Sequence, residues 1–212
     1  MKLIVDGVSI KPQPIHKNKI AKVFFASMQD DPMYCYMFQN INNHDKYLVA
    51  FWNALVHYSL VNGEVYSIKD LNAGACWLLP GKCNFTLSSL ALSKFQLPLA
   101  VFGFPSMARN RAMGIFDYLD KVQRNCISEP HYYLMALGVT PHLQGKGIGS
   151  KLIEPVLQRA DAKGCKCYLE TETEINVKFY EKNGFHVEQE FIIPKHGLKY
   201  WAMIRNPKNS SQ

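Results

Sequence analysis

The chain has 212 residues, 48% of them hydrophobic, enough to fill the core of one domain. Its 24 lysines and arginines exceed 17 acidic residues by a formal charge of +7, but Lys17 and Lys19, Arg109 and Arg111, and Lys121 and Arg124 are dispersed rather than gathered among stacking aromatics, which argues against nucleic acid as a partner. There is no run of 18 apolar residues, the opening MKLIVDGVSIKP lacks a secretory pattern, and Cys35, Cys76, Cys83, Cys126, Cys165 and Cys167 form no CxxC pair, so a cytoplasmic protein with free thiols, no membrane contact and no metal is expected.

Val5 to Lys11 reads as an opening strand broken by Pro12 and Pro14, and Ile20, Val23 and Phe24 line a first helix ending near Gln29. Asp30-Asp31-Pro32 then restricts the backbone, and Met33, Tyr34, Tyr36, Met37 and Phe38 form an aromatic patch that suits either core packing or ligand contact. The spacing of Tyr47, Leu48, Phe51, Trp52, Leu55 and Val56 predicts a helix from His44 to His57. Asn62-Gly63 is a turn signal, which suggests a hairpin between residues 59–61 and 65–68. A further turn at Asn72-Ala73-Gly74 leads into a strand through Cys76, Trp77 and Leu78, antiparallel to its predecessor and closed by Pro80 and Gly81.

Phe85 to Met113 reads as short helices and loops interrupted by Pro98, Gly103 and Pro105, and Gly114 to Asn125 as a helix carrying Ile115, Phe116, Leu119 and Val122. His131 to Val139 is dominated by aromatic and aliphatic residues, as in a strand covered on both faces. His131 stands at its mouth, where an imidazole of unperturbed pKa about 6.5 is either a structural donor or a proton acceptor, so His131, Glu129 and Glu172 are the candidates to receive a proton.

Gln144-Gly145-Lys146-Gly147-Ile148-Gly149 follows, and then an apolar stripe of Ile148, Leu152, Val156 and Ala160 that predicts a helix. Three glycines in five positions let backbone approach a ligand, and their amides with the first helical N–H groups suit an anion; a plain surface turn is the alternative. Neither GxGxxG nor GxxxxGK[ST] spacing is present. Pro155 deletes one amide inside this helix and is expected to bend it, at a cost of up to about 3 kcal/mol.

Lys166 to Leu169 reads as the next strand, and Thr173 as the cap of a helix on which Asn176 and Tyr180, four apart, share a face. Gly184 ends that helix. Phe185 to Phe191 and Leu198 to Ile204 follow as antiparallel strands, and residues 206–212 as a polar tail.

Gln144, Gly147 and Gly149 match the Q/R-x-x-G-x-G/A pyrophosphate loop of the GCN5-related N-acetyltransferases (GNAT), and Leu137-Gly138-Val139 resembles the strand end before it. Asn176 to Tyr180 and the following Glu181-Lys-Asn-Gly-Phe185 resemble the N-x-x-x-Y and ekxGF signatures of the same family, while Gly74-Ala-Cys-Trp77-Leu-Leu-Pro-Gly81 resembles the AxWLPPG segment of its puromycin-acetyltransferase-like branch. The resemblance runs from Val8 to Arg205. It implies a mixed α/β (α+β) fold: one domain over 1–205, with a central, largely antiparallel sheet flanked by helices and splayed between its fourth and fifth core strands, then a flexible tail over 206–212.

The resemblance also implies a function: transfer of acetyl from acetyl-CoA to the amine of a small molecule by direct attack, in a monomer or homodimer. Leu137, Gly138, Val139 and Asn176 would hold the pantetheine arm, and Gln144, Gly145, Lys146, Gly147, Ile148 and Gly149 the pyrophosphate. Tyr180 would be the general acid, and Tyr34, Phe38 and Trp77 would face the acceptor. A protein or peptide N-acetyltransferase and a non-catalytic acyl-CoA sensor are the alternatives.

Overall fold

A computed structural model describes residues 16–83, 96–194 and 197–208. The expected opening strand at Val5 to Lys11 and residues 84–95 of the apolar stretch lie outside them.

Ile20, Val23 and Phe24 form the buried face of α1 (Lys17–Ser27), as expected. The aromatic patch forms a helix of its own, α2 (Pro32–Met37), where the sequence predicts no helix. Pro32 fixes its first residue, and Asp31 Oδ1 accepts from the Met33 and Tyr34 amides at 3.0 and 3.4 Å. The next helix, α3 (Asp45–Asn62), runs past His57 to Asn62 and passes directly into β1 (Gly63–Ser67). No hairpin forms at Asn62-Gly63. Asn62 donates its side-chain amide back to the Tyr58 carbonyl at 3.2 Å, and a Cβ on Gly63 would fall 1.9 Å from the Trp77 carbonyl oxygen. The glycine serves close approach to the neighbouring strand rather than a reversal of the chain.

β2 (Ala73–Leu78) pairs antiparallel with β1. After α4 (Gln96–Phe102), α5 (Ser106–Cys126) is one helix of 21 residues, beginning eight residues before the expected start at Gly114 because Met107 to Met113 continue the same periodicity. β3 (Tyr132–Val139), α6 (Ile148–Ala162), β4 (Cys167–Thr171), α7 (Glu174–Lys182), β5 (His186–Ile192) and β6 (Lys199–Arg205) complete the order. Pro155 lies within α6, and the helix continues through it.

The six strands form one sheet in the order β1-β2-β3-β4-β6-β5, in which β3 and β4 are the parallel neighbours. Residues alternate between two cores. Val65, Cys76, Leu78, Tyr168, Tyr200 and Ala202 pack with α1, α2, α3 and α5. Tyr66, Trp77, Tyr132, Leu134, Leu169 and Met203 pack with α6 and α7 on the other face.

β3 breaks this alternation at one place. Leu134 sits opposite Trp77 and Ala136 opposite Cys76, so Met135 is an extra residue, a β-bulge. Leu134 and Leu137, three apart, therefore reach the same core. A bulge bends its strand, and β3 meets β4 only at Tyr132–Cys167 and Tyr133–Tyr168 before the two diverge. From Leu134 onward the edge of β3 toward β4 has no strand partner among the described residues. The mixed, largely antiparallel sheet splayed at its centre is the expected fold class. Among the described residues the splay lies between the third and fourth strands.

Candidate active site

The divergence of β3 and β4 opens a cleft of about 410 Å³. Its walls are Leu134 to Val139 and Gln144 on one side, Glu170 to Thr173 with Asn176 and Tyr180 on the other, and Ser27, Met28 and Asp30 to Tyr34 with Trp52 across the top. Three local devices build it: the bulge in β3, the Asp31 cap that turns α2 over the gap, and the Thr173 cap, whose Oγ1 accepts from the Asn176 amide at 3.3 Å to start α7 where β4 ends.

Leu137, Gly138 and Val139 line the cleft along the free edge of β3. Gly138 also admits α1: a Cβ there would lie 2.5 Å from Ser27 Oγ and 2.8 Å from Phe24 Cδ1. Gln144 carries the wall on toward the glycine loop and donates to the Val139 carbonyl at 3.0 Å. Gly145, Lys146 and Gly147 are exposed beyond it. Gly147, at φ 74°, caps α6, and the first helical bond runs from the Lys151 amide to its carbonyl. The Ile148, Gly149 and Ser150 amides therefore precede the hydrogen-bonded ladder and are free to face an anion. Ile148 is half-buried against the core beneath.

Asn176 and Tyr180 both reach the cleft from α7. Tyr180 is buried against Phe179 and Phe185, and burial, then the Glu172 charge, holds its hydroxyl above the usual value. Glu172 lies in the same cleft. Burial first, and then the charge of Asp31, raises its carboxyl well above the ordinary range. The Tyr200 hydroxyl turns toward it without closing a well-formed hydrogen bond.

Asp31 and Glu170 also face this space, and neither was among the candidate catalytic or binding residues. Burial raises Asp31 to about 6 against the Met33 and Tyr34 amides that stabilise its charge. Glu170 rises to about 7 for the same first reason, opposed by Tyr133, whose hydroxyl donates to Oε2 at 2.7 Å. Both left a trace in the sequence: an Asp before Pro is a helix cap, and Glu170 shares strand parity with Glu172.

Four expected residues lie elsewhere. His131 and Glu129 line a separate cavity of about 310 Å³ with Cys83 and Arg124, at the joined end of β3 and β4. The His131 ring donates from Nδ1 to the Glu129 carbonyl at 2.8 Å and accepts at Nε2 from the Gln123 amide at 3.0 Å. Burial lowers its pKa, so it is a neutral, fully satisfied structural ring rather than a proton acceptor in the cleft. Glu129 pairs with Lys166 Nζ at 2.5 Å, which holds its carboxyl low. Trp77 is fully buried in the core beneath α6, because its parity on β2 directs it away from the cleft. Phe38 stacks on His44 and Tyr47 and packs edge-on to Phe104. Tyr34, by contrast, does line the cleft, and Trp52, read from the sequence only as a helix packer, lies beside it.

Among the described residues no group of His, Cys, Asp or Glu is arranged to hold a metal ion, and no helix is long and apolar enough to cross a membrane.

Residues 109–185 match the model of the Acetyltransferase (GNAT) family. Over 203 residues the chain is 27% identical to an uncharacterized N-acetyltransferase of Schizosaccharomyces pombe, a match that covers 92% of this chain and 81% of that one. Among solved structures, the histone acetyltransferase HPA2 and related acetyltransferase of Corynebacterium glutamicum superposes with a TM-score of 0.68 at 18% identity, covering 97% of this chain and 98% of that one. An N-acetyltransferase of Staphylococcus aureus gives a TM-score of 0.59 at 17% identity, over 92% of this chain and 97% of that one. The family match spans the glycine loop and the Asn176–Phe185 signature, the whole-chain likeness covers the rest, and the chain therefore carries the acetyltransferase fold of the GNAT superfamily.

Proposed function

We propose that the cleft transfers an acetyl group from acetyl-CoA to the amine of a small molecule. The observation that carries this reading is a single cavity joining the unpaired edge of β3 and Gln144 to Glu172 and Tyr180. An unpartnered strand edge accepts an extended amide-bearing arm as an added strand, and the exposed Gly145–Gly147 turn before α6 leaves room for a pyrophosphate. The residues thus fit CoA: Leu137, Gly138, Val139 and Asn176 along the arm, and Gln144 to Gly149 at the phosphates. Acetyl-CoA would supply an activated thioester carbonyl.

Glu172 receives the proton of the incoming ammonium, since only the free amine has a lone pair. It shares the cavity with Tyr180 and the free edge of β3. The Val139 amide steadies charge on the carbonyl oxygen while the C–N bond forms. As the C–S bond breaks, the Tyr180 hydroxyl donates its proton to the departing sulfur, and its raised pKa keeps it protonated until then. The second amine proton leaves to solvent as the adduct collapses to the neutral amide, and the proton on Glu172 returns through solvent to restore the tyrosine.

A cleft of this volume roofed by α2 and Trp52 favours a small acceptor over a protein segment. The Gly74–Gly81 likeness to the puromycin-acetyltransferase-like branch belongs to the same proposal. Acetyl-CoA-dependent thiol release across a set of amines tests the reading. Tyr180→Phe is expected to lower kcat by roughly 10²-fold, the usual contribution of a positioned acid, and wild-type rates in that variant would contradict it.

A further inference from the structure

The acceptor end of the cleft has the opposite sign to the chain that surrounds it. Asp30, Asp31, Glu170 and Glu172 line it, and among the described residues no lysine or arginine does, although the chain as a whole carries +7. Asp31 uses Oδ1 alone to cap α2. Its Oδ2 has no partner among the described residues. Beside it stands Tyr34, only 5% exposed, flanked by the charges of Asp31 and Glu172 and forming part of the cleft wall. The Tyr34 hydroxyl meets no hydrogen-bonding partner among the described residues. A buried hydroxyl facing a cavity is a position for the polar group of a ligand.

Among the described residues no group of His, Cys, Asp or Glu is arranged to hold a metal ion, and an acidic cavity wall suits an organic cation. The reacting amine meets Glu172, which leaves the Asp31 carboxyl, with its uncapped Oδ2, open to a second ammonium in the same cavity. We infer that the acceptor is an aliphatic diamine or polyamine: one amine is acetylated beside Glu172, and a second ammonium stays bound to Asp31 Oδ2 and the Tyr34 hydroxyl oxygen. Asp31 is then a specificity residue. The inference rests on the acetyl-transfer reading of the same cleft and names its substrate class.

Calorimetric titration of the full chain with 1,4-diaminobutane, 1-aminobutane and 4-aminobutanoate separates recognition from chemistry. The diamine is expected to bind roughly tenfold or more tighter than the monoamine, the scale of one hydrogen-bonded charge, and the amino acid to bind weakest of all. Asp31→Asn and Asp31→Ser both keep a capping side chain and are expected to reduce the diamine's advantage to about threefold or less. Equal affinities for the diamine and the monoamine, an undiminished advantage in both variants, or no amine binding at all would overturn the inference. Thiol release is then followed with the same amines: diamine binding without any release would overturn the acetyl-transfer reading and leave the recognition intact.

Discussion

Asp31 and Glu170 are held above the usual carboxylate range, to about 6 and about 7, chiefly by burial, and this has a measurable signature in the protein without substrate. A carboxyl with a raised folded pKa binds protons more tightly in the folded state. Its stabilisation is complete below the unfolded value and is lost as pH rises through the folded one. Asp161 works in the other sense: Arg205 bonds it with two nitrogens at 2.7 Å and holds its pKa low, so its contribution is present at neutral pH and lost in acid. His131, held low by burial, subtracts from the gain as pH falls. With Glu172 adding in the same sense, and at about 1.4 kcal/mol per pKa unit, unfolding free energy is expected to rise by about 2 kcal/mol or more from pH 7.5 to 5.5 and to fall again below pH 4. Denaturant melts at these pH values check this, and a protein weaker at 5.5 than at 7.5 would contradict it. His131→Ala removes both ring hydrogen bonds from a buried site and is expected to cost about 2 kcal/mol of stability, while thiol release at saturating substrate stays within about twofold of wild type. A large loss of rate with unchanged stability would return His131 to the chemistry.

Among the elements, β3 decides the most. Its bulge at Met135 turns it from β4, and its Gly138 lets α1 lie directly on it. Gly138→Ala would drive a methyl into Ser27 Oγ and Phe24, lifting α1 from the wall of the cleft, at an expected cost of about 1–3 kcal/mol in chemical denaturation; an unchanged midpoint would show that α1 has slack. The run from β3 through the glycine turn, α6, β4 and α7 was legible because its signals are local: apolar periodicity, a Thr cap, glycines at a helix start. Asn62-Gly63 misled because the same two letters that make a turn also end a helix beside a strand, and only the carbonyl of Trp77 distinguishes the two. The α2 cap was written in Asp31-Pro32 yet masked by the aromatic residues after it. The bulge has no letter of its own. It is visible only as a slip in register against β2.

At the scale of the whole molecule, two cores on opposite faces of one sheet fix the strands, and their divergence leaves the cleft between. Parity along β2 puts Trp77 on one face or the other, and only its packing beneath α6 shows that it points away from the cleft. His131 failed for a different reason: a strand has two ends, and the cleft opens at the end beyond Leu134. The carboxyls of Asp31, Glu170 and Glu172 come from segments about 140 residues apart in sequence, and only the fold brings them into one cavity. The proposed reaction requires CoA along the free edge of β3 with its phosphates at the glycine turn. Isothermal titration of CoA into the folded chain tests this most directly. Saturable one-to-one binding is expected, abolished by Gly147→Val, because that residue's φ of 74° is strained for a branched side chain. No heat of binding from folded protein, or undiminished affinity in the folded variant, would contradict it.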